Sequence, residues 1–325
     1  STPIKSSAAS DVYKRQFKDY IWGGTRLRDE YGKKCDYDKV AESWELSCHK
    51  DGPSVVADGE YKGLTLNEYI EKAGKGVLGK NCERFENFPI LIKLIDAKDN
   101  LSVQVHPDND YAMRVEGEYG KTEMWYVVDC DEGATLLYGF KHEITKEEFA
   151  RRIADNTLLE VTNAVPVKKG DVFFIKSGTL HAIGKGILIA EIQQNSNTTY
   201  RIYDYGRVGK DGKPRELHVN KALDVTKLAP AEQYPETPVE KKDGYDIKLL
   251  SKCEYFTTYR VNVETKAELD ADENSFNSIL VLEGEPVISG GETVSAKKGE
   301  SVFISAGTGK YTVEGKCTFV LTKID

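Results

Sequence analysis

Five histidines occur among the 325 residues, His49, His106, His142, His181 and His218, and two of them fall in segments that could deliver metal ligands. In Leu101-Ser102-Val103-Gln104-Val105-His106 polar and apolar residues alternate. A strand here puts Ser102, Gln104 and His106 on one face and the valines on the other. The same period puts Lys121, Glu123 and Trp125 on one face of a second strand. His181 closes the turn-rich stretch Ser177-Gly178-Thr179-Leu180-His181. If the three segments converge, two imidazoles, a carboxylate and an amide oxygen share one cavity. Two His with one Glu is a catalytic zinc set, with positions left open for water or substrate. The plainer reading is that these polar residues line solvated strand faces, and that each histidine is half-buried without function. What favours the metal reading is the joint pattern and its loss from a second repeat.

Those residues need rigid elements to hold them. From about residue 87 the chain is short runs of Val, Ile, Phe and Tyr broken by Gly, Asp, Asn and Lys. Strands are expected at Ile90–Asp96, Leu101–His106, Thr122–Val128, Thr135–Phe140, Asp171–Ile175, Ile187–Gln194, Tyr255–Val263, Ser278–Leu282 and Cys317–Lys323. Such spacing implies an all-β sandwich or barrel. Thr65-Leu66-Asn67-Glu68 and Thr145-Lys146-Glu147-Glu148 have capping-box spacing and predict helix starts, and a third helix is expected around Glu216–Asp224. The segment from Leu228 to Gly244 holds Pro230, Pro235 and Pro238 among Glu and Lys, and reads as a linker.

An internal repeat sharpens this division. Lys168–His181 aligns without gaps on Lys297–Lys310, sharing a turn, an apolar strand and a final polar residue. Upstream, Trp125–Asp129 pairs more weakly with Ile279–Glu283. The pattern resembles the way cupin (small jelly-roll) domains deliver a metal ligand. Lys310 stands at the position of His181, and roughly Asn277 at that of Glu123, so the second copy lacks the ligands. The expected fold is mainly β: two cupin domains with a few inserted helices. The catalytic cupin is expected over 17–228, a linker over 229–244, and a metal-free cupin over 245–325.

Lys and Arg number 45 against 53 Asp and Glu, a net charge of −8. That balance argues against a nucleic-acid partner, which needs a clustered basic surface, yet leaves room for a small anion held by local charges. No apolar run nears the ~20 residues of a membrane span. The six scattered cysteines, with no C-x-x-C pair, read as reduced thiols of a cytoplasmic protein. Residues 1–16 carry no hydrophobic period, and Asp11–Gln16 back-translates to a transposase adapter sequence. They are therefore read as a non-native leader.

Four segments together resemble type I phosphomannose isomerases, the short bacterial form: Gln104-Val105-His106-Pro107-Asp108, Gly120-Lys121-Thr122-Glu123-Met124-Trp125-Tyr126, Ser177–Ala182 and Gln194–Arg201. Trp22-Gly23-Gly24 and Glu42–Ser47 extend the likeness, which covers residues 17–325. The resemblance implies a zinc enzyme interconverting mannose 6-phosphate and fructose 6-phosphate, with one Zn2+ on Gln104, His106, Glu123 and His181. It implies Arg201 as an active-site arginine and Glu191 as a proton-transfer carboxylate. It places Lys93, Ser102 and Lys121 around the phosphate, with Lys121 also in the catalytic set. Glu191 is alternatively a buried carboxylate satisfied by Arg201. A zinc-bound hydroxide or another polar residue could equally serve as the base. His49, His142 and His218 read as structural or surface residues. Two rivals stand beside this function: a sugar-sensing cupin without turnover, and an isomerase of another hexose.

Overall fold

Both copies of the repeat form the same strand pair in a computed structural model of the chain, which describes residues 4–6 (backbone only), 16–209 and 211–325. Val172–Ile175 runs antiparallel to Glu123–Cys130 and sets Ile175 opposite Glu123. Ser301–Ile304 runs antiparallel to Asn277–Gly284 and sets Ile304 opposite Asn277. The fold is mainly β with a few short helices, as the strand spacing implied. Thr135–Phe140, Ile187–Gln194 and Cys317–Lys323 have the bounds read from the sequence. The expected strand at Leu101–His106 is shorter, Val103–Val105. Pro107 has no N–H to extend a ladder, and Asp108 instead caps an unforeseen helix, Asn109–Val115, by accepting from the Tyr111 N–H. That helix buries only Ala112, so it leaves no apolar period to read.

Packing divides the chain into two compact units. One holds residues 19–24 and 95–234; the other holds 25–94, 235–325 and the described residues up to Lys18. In the first, one sheet has the strand order Tyr200–Tyr203, Val103–Val105, His181–Ala182, Thr135–Phe140, Thr162–Pro166. Val103, Val105, Leu180, Ala182, Tyr200 and Ile202 form its outer face and pack with Phe149 and Ala222 of the helices Lys146–Ala154 and Val219–Val225. Each large apolar side chain buried this way contributes about 1.5–3 kcal/mol. The inner face then carries Arg201, Gln104 and His181 as direct neighbours, since Gln104 is opposite both of the others. The strands Ile187–Gln194, Glu123–Cys130 and Val172–Ile175 form the second antiparallel layer of this jelly-roll.

The other unit contains the second cupin. Its core includes Val261, Ile279, Val281, Val302, Ile304, Val313 and Phe319, and its sheets are built from the strands between Val239 and Lys323. Residues 25–94, which the sequence division placed in 17–228, pack here instead. The helix Leu66–Ala73 has the full capping box at Thr65 and Glu68, and its Tyr69 hydroxyl lies 2.9 Å from Ser305 Oγ. The Phe276 N–H donates to Leu78 O and the Ala306 N–H to Val77 O, while Phe88 stacks on Phe276. These contacts join residues some two hundred positions apart, which local patterning does not reveal. Of the expected leader, residues 1–3 and 7–15 lie outside the described residues. Ile4–Ser6 pairs with Ser301–Ile304, and the Gln16 side chain donates to Trp44 O at 2.9 Å. Among the described residues no helix is long and apolar enough to cross a membrane.

Candidate metal centre and active site

Inside the jelly-roll of residues 95–234, His106, Glu123 and His181 bring one ligand atom each to within 4.8 Å of one another, the one such group of three among the described residues. All three are buried, with at most 1% exposure. Their convergence follows from local chemistry. The Gly178 N–H donates to His106 O, tying the His181 turn to the end of the Gln104 strand. Gly178 has φ +86°, a backbone that only glycine adopts without strain, and an added Cβ would lie 3.0 Å from Val225 O. His181 Nδ1 sits 2.8 Å from Thr179 O. A carbonyl can only accept, so Nδ1 carries the proton and the Nε2 lone pair is free for a metal. Gln104 Nε2 lies 3.4 Å from that Nε2.

Charge at this cluster is arranged for a cation. Burial, then the Lys121 ammonium, pushes the His106 pKa down to about 3. Burial likewise lowers that of His181. Both rings are therefore neutral donors at physiological pH. Burial opposes ionisation of Glu123, but the Lys121 ammonium holds it well below the usual carboxylate range. Lys121 Nζ is 3.1 Å from Glu123 Oε1. His106 Nε2 is 3.2 Å from the same oxygen, without hydrogen-bond geometry, and both His106 nitrogens and Glu123 Oε1 find no hydrogen-bond partner among the described residues. Buried polar atoms are seldom left so. Two neutral imidazoles and an ionised carboxylate are the donor set that suits a divalent metal of zinc's type.

Glu191 lies opposite Trp125, and Gln193 opposite Glu123, so all four share the inner face of their layer. The Trp125 indole N–H points at Glu191 Oε2 (2.8 Å) and Glu123 Oε2 (3.1 Å). Arg201, on the facing sheet beside Gln104, donates through Nη1 to Glu216 O, and its buried Nε has no partner among the described residues. Burial, then Arg215, lowers its pKa. Asp204 receives both Arg207 and Arg215.

The structure therefore brings together Gln104, His106, Lys121, Glu123, His181, Glu191 and Arg201 in one jelly-roll. Ser102 is buried just ahead of the strand Val103–Val105. Lys93 belongs to the other unit, where its Nζ lies 3.7 Å from Glu42 Oε2 and over the Trp44 ring. His142 is exposed, His218 precedes the helix Val219–Val225, and His49 packs against Trp44. Sequence reasoning passed over Gln193. Its Nε2 donates to Gln194 O and Ser196 O, so its orphaned Oε1 is an acceptor. The available signal was its place two residues beyond Glu191, on the same strand face. The second cupin shows no equivalent cluster among the described residues: Asn277 is spent on Asp270 O and the Tyr311 hydroxyl, and Lys310 is exposed.

Fold and site together define a two-cupin protein whose first barrel holds a cluster of side chains that could hold a metal. Comparison with known proteins narrows that class. The family model for the phosphomannose isomerase type I catalytic domain matches residues 12–133, and that for the mannose-6-phosphate isomerase cupin domain matches 246–324. Mannose-6-phosphate isomerase ManA of Bacillus subtilis (strain 168) is 39% identical over 314 residues, covering 96% of this chain and 98% of that protein. A crystal structure of the mannose 6-phosphate isomerase from Bacillus subtilis superposes with a TM-score of 0.91 at 37% identity, covering 99% of both chains. A more distant structure, a mannose 6-phosphate isomerase described as holo and zinc bound, shares the fold at 17% identity and TM-score 0.78 over 100% of both chains. The chain belongs to the type I mannose-6-phosphate isomerase family, and it is an enzyme of that family.

Proposed function

We propose that the chain interconverts mannose 6-phosphate and fructose 6-phosphate through an enediol, using one zinc ion held by His106, Glu123, His181 and Gln104. The observation that carries the metal reading is the buried His106–Glu123–His181 cluster, in which both His106 nitrogens and Glu123 Oε1 lack a hydrogen-bond partner among the described residues, and the zinc-bound relative supports the choice of metal. Gln104 would ligate through its amide oxygen, which needs the amide turned so that oxygen rather than nitrogen faces His181, a choice left open by side-chain shape. Zinc supplies Lewis acidity, stabilising negative charge that develops on the sugar oxygens.

The remaining work falls to the protein's own groups. Glu191 is buried on the inner face and is proposed to move the proton between C2 and C1. Arg201 is proposed to hold two oxygens of the phosphate or of the enediol with its planar guanidinium, its unpartnered Nε among the donors. Lys121 balances the charge of Glu123. Its ammonium, with Ser102, is proposed to attract the phosphate. The second cupin is proposed to be structural; of the expected linker over 229–244, Val239–Lys242 is a strand of that cupin's sheet. The six cysteines, none of them in a disulfide, support a reducing, cytoplasmic setting.

Turnover of mannose 6-phosphate, glucose 6-phosphate and unphosphorylated mannose on one preparation tests this reading. The expected result is isomerisation of mannose 6-phosphate far ahead of the others, abolished by a chelator. Binding of the sugar phosphate without turnover would mark a sensor, and preference for another sugar would mark an isomerase of another hexose.

A further inference from the structure

Trp125 is fully buried in the strand Glu123–Cys130, and its one polar atom is committed twice. An indole has a single N–H and no acceptor. Here that N–H lies 2.8 Å from Glu191 Oε2 and 3.1 Å from Glu123 Oε2. The ring also presents an edge-on contact to His181, with centroids 5.2 Å apart. Glu123 thus has its two oxygens divided, Oε1 toward Lys121 and His106 and Oε2 toward Trp125. We infer that Trp125 is a positioning residue for the isomerisation: its shared N–H fixes the Glu191 carboxylate relative to the metal-ligating Glu123 carboxylate, and its ring holds the His181 imidazole.

This inference rests on the reading of Glu191 as the proton-transfer group. A side chain that only fills the barrel would do so equally well as Phe, whose ring keeps most of the volume but cannot donate. Register gives Trp125 this reach. Trp125 is directly opposite Glu191 and two residues from Glu123 on the same face, so one flat side chain reaches both carboxylates from the side. Partners of this kind, one step removed from a metal, typically change metal affinity or activity by ~10–100-fold.

The test is a double-mutant cycle of Trp125→Phe and Glu191→Gln, read by kcat and KM for mannose 6-phosphate, by zinc affinity in competition with a chelator, and by Tm. Trp125→Phe should lower kcat by ~10–100-fold with KM nearly unchanged, and should weaken zinc binding by a factor in the same range. In the Glu191→Gln background the same change should lower kcat less than about twofold, because the group it positions is already gone, while zinc binding still weakens. Equal losses of kcat in both backgrounds, or a Trp125→Phe enzyme with normal kcat and zinc affinity beside a crippled Glu191→Gln enzyme, overturn the inference alone. A fully active Glu191→Gln enzyme overturns the proton-transfer reading and the inference with it. Should Trp125→Phe fail to fold, benzothienylalanine inserted at position 125 keeps the bicyclic shape and replaces the N–H by sulfur; the same outcomes decide.

Discussion

Glu191 and Arg201 sit on different sheets of one jelly-roll, and each makes a separable prediction. Glu191→Gln keeps the shape and removes the basic carboxylate. Turnover should fall by ~10²–10⁴-fold, the usual contribution of a general base, while metal content stays at the wild-type level. Solvent-proton exchange at C2 that continues at the normal rate in this variant would remove Glu191 from the role. Arg201→Lys replaces a planar fork by a point charge. Its kcat/KM should fall by at least ~10-fold, with Tm and metal content almost intact, because the Arg201 side chain meets a backbone carbonyl at Glu216 rather than a structural carboxylate. A matching fall in Tm would assign it a structural role instead. His106, Glu123 and His181 were legible as residue types at strand spacing. The bond from Trp125 to Glu191 and the orphaned oxygen of Gln193 were not, because cross-strand register decides them and that information is absent from either segment read alone.

At the scale of elements, the segment that follows Arg201 is held by Asp204, whose carboxylate receives Arg215 at 2.6 and 2.8 Å as well as Arg207. Burial opposes its charge, but Arg215 first and then Arg207 keep its pKa below the ordinary value. Asp204→Asn should cost about 1.5–3 kcal/mol, the range for hydrogen bonds to charged groups. With the folded-state pKa depressed, the unfolded chain takes up the proton first on acidification. The contribution is complete above the ordinary value of ~3.9 and is lost as pH falls through the folded value. Urea unfolding should therefore show a constant gap between wild type and variant from about pH 5 to 8, narrowing below about pH 4. A gap that opened with acid would contradict the assignment. Among the elements themselves, strands with strong β-branched runs and helices with Thr caps were readable. The helix Asn109–Val115 was not, because its apolar residues do not form one buried face: Ala112 is buried while Met113 and Val115 are exposed.

On the scale of the whole molecule, the repeat was visible because both copies keep the turn and strand that build a jelly-roll, while only the first has the His106–Glu123–His181 cluster. The grouping of residues 25–94 with the second cupin was not visible, since it depends on contacts such as Phe88 with Phe276. In the second cupin, Asn277→Ala should cost about 1–3 kcal/mol, leaving the buried Tyr311 hydroxyl without its partner, with kcat for mannose 6-phosphate unchanged. A loss of turnover at full stability would give that barrel a part in the reaction. Whether one metal in the first cupin supports turnover is tested by titrating metal-stripped protein with zinc while following mannose 6-phosphate isomerisation. Activity should rise linearly to one zinc per chain and then stay level, and the same titration of His181→Ala should remain flat. Full activity in stripped protein, a break at two ions per chain, or normal activation of His181→Ala would contradict the one-metal reading.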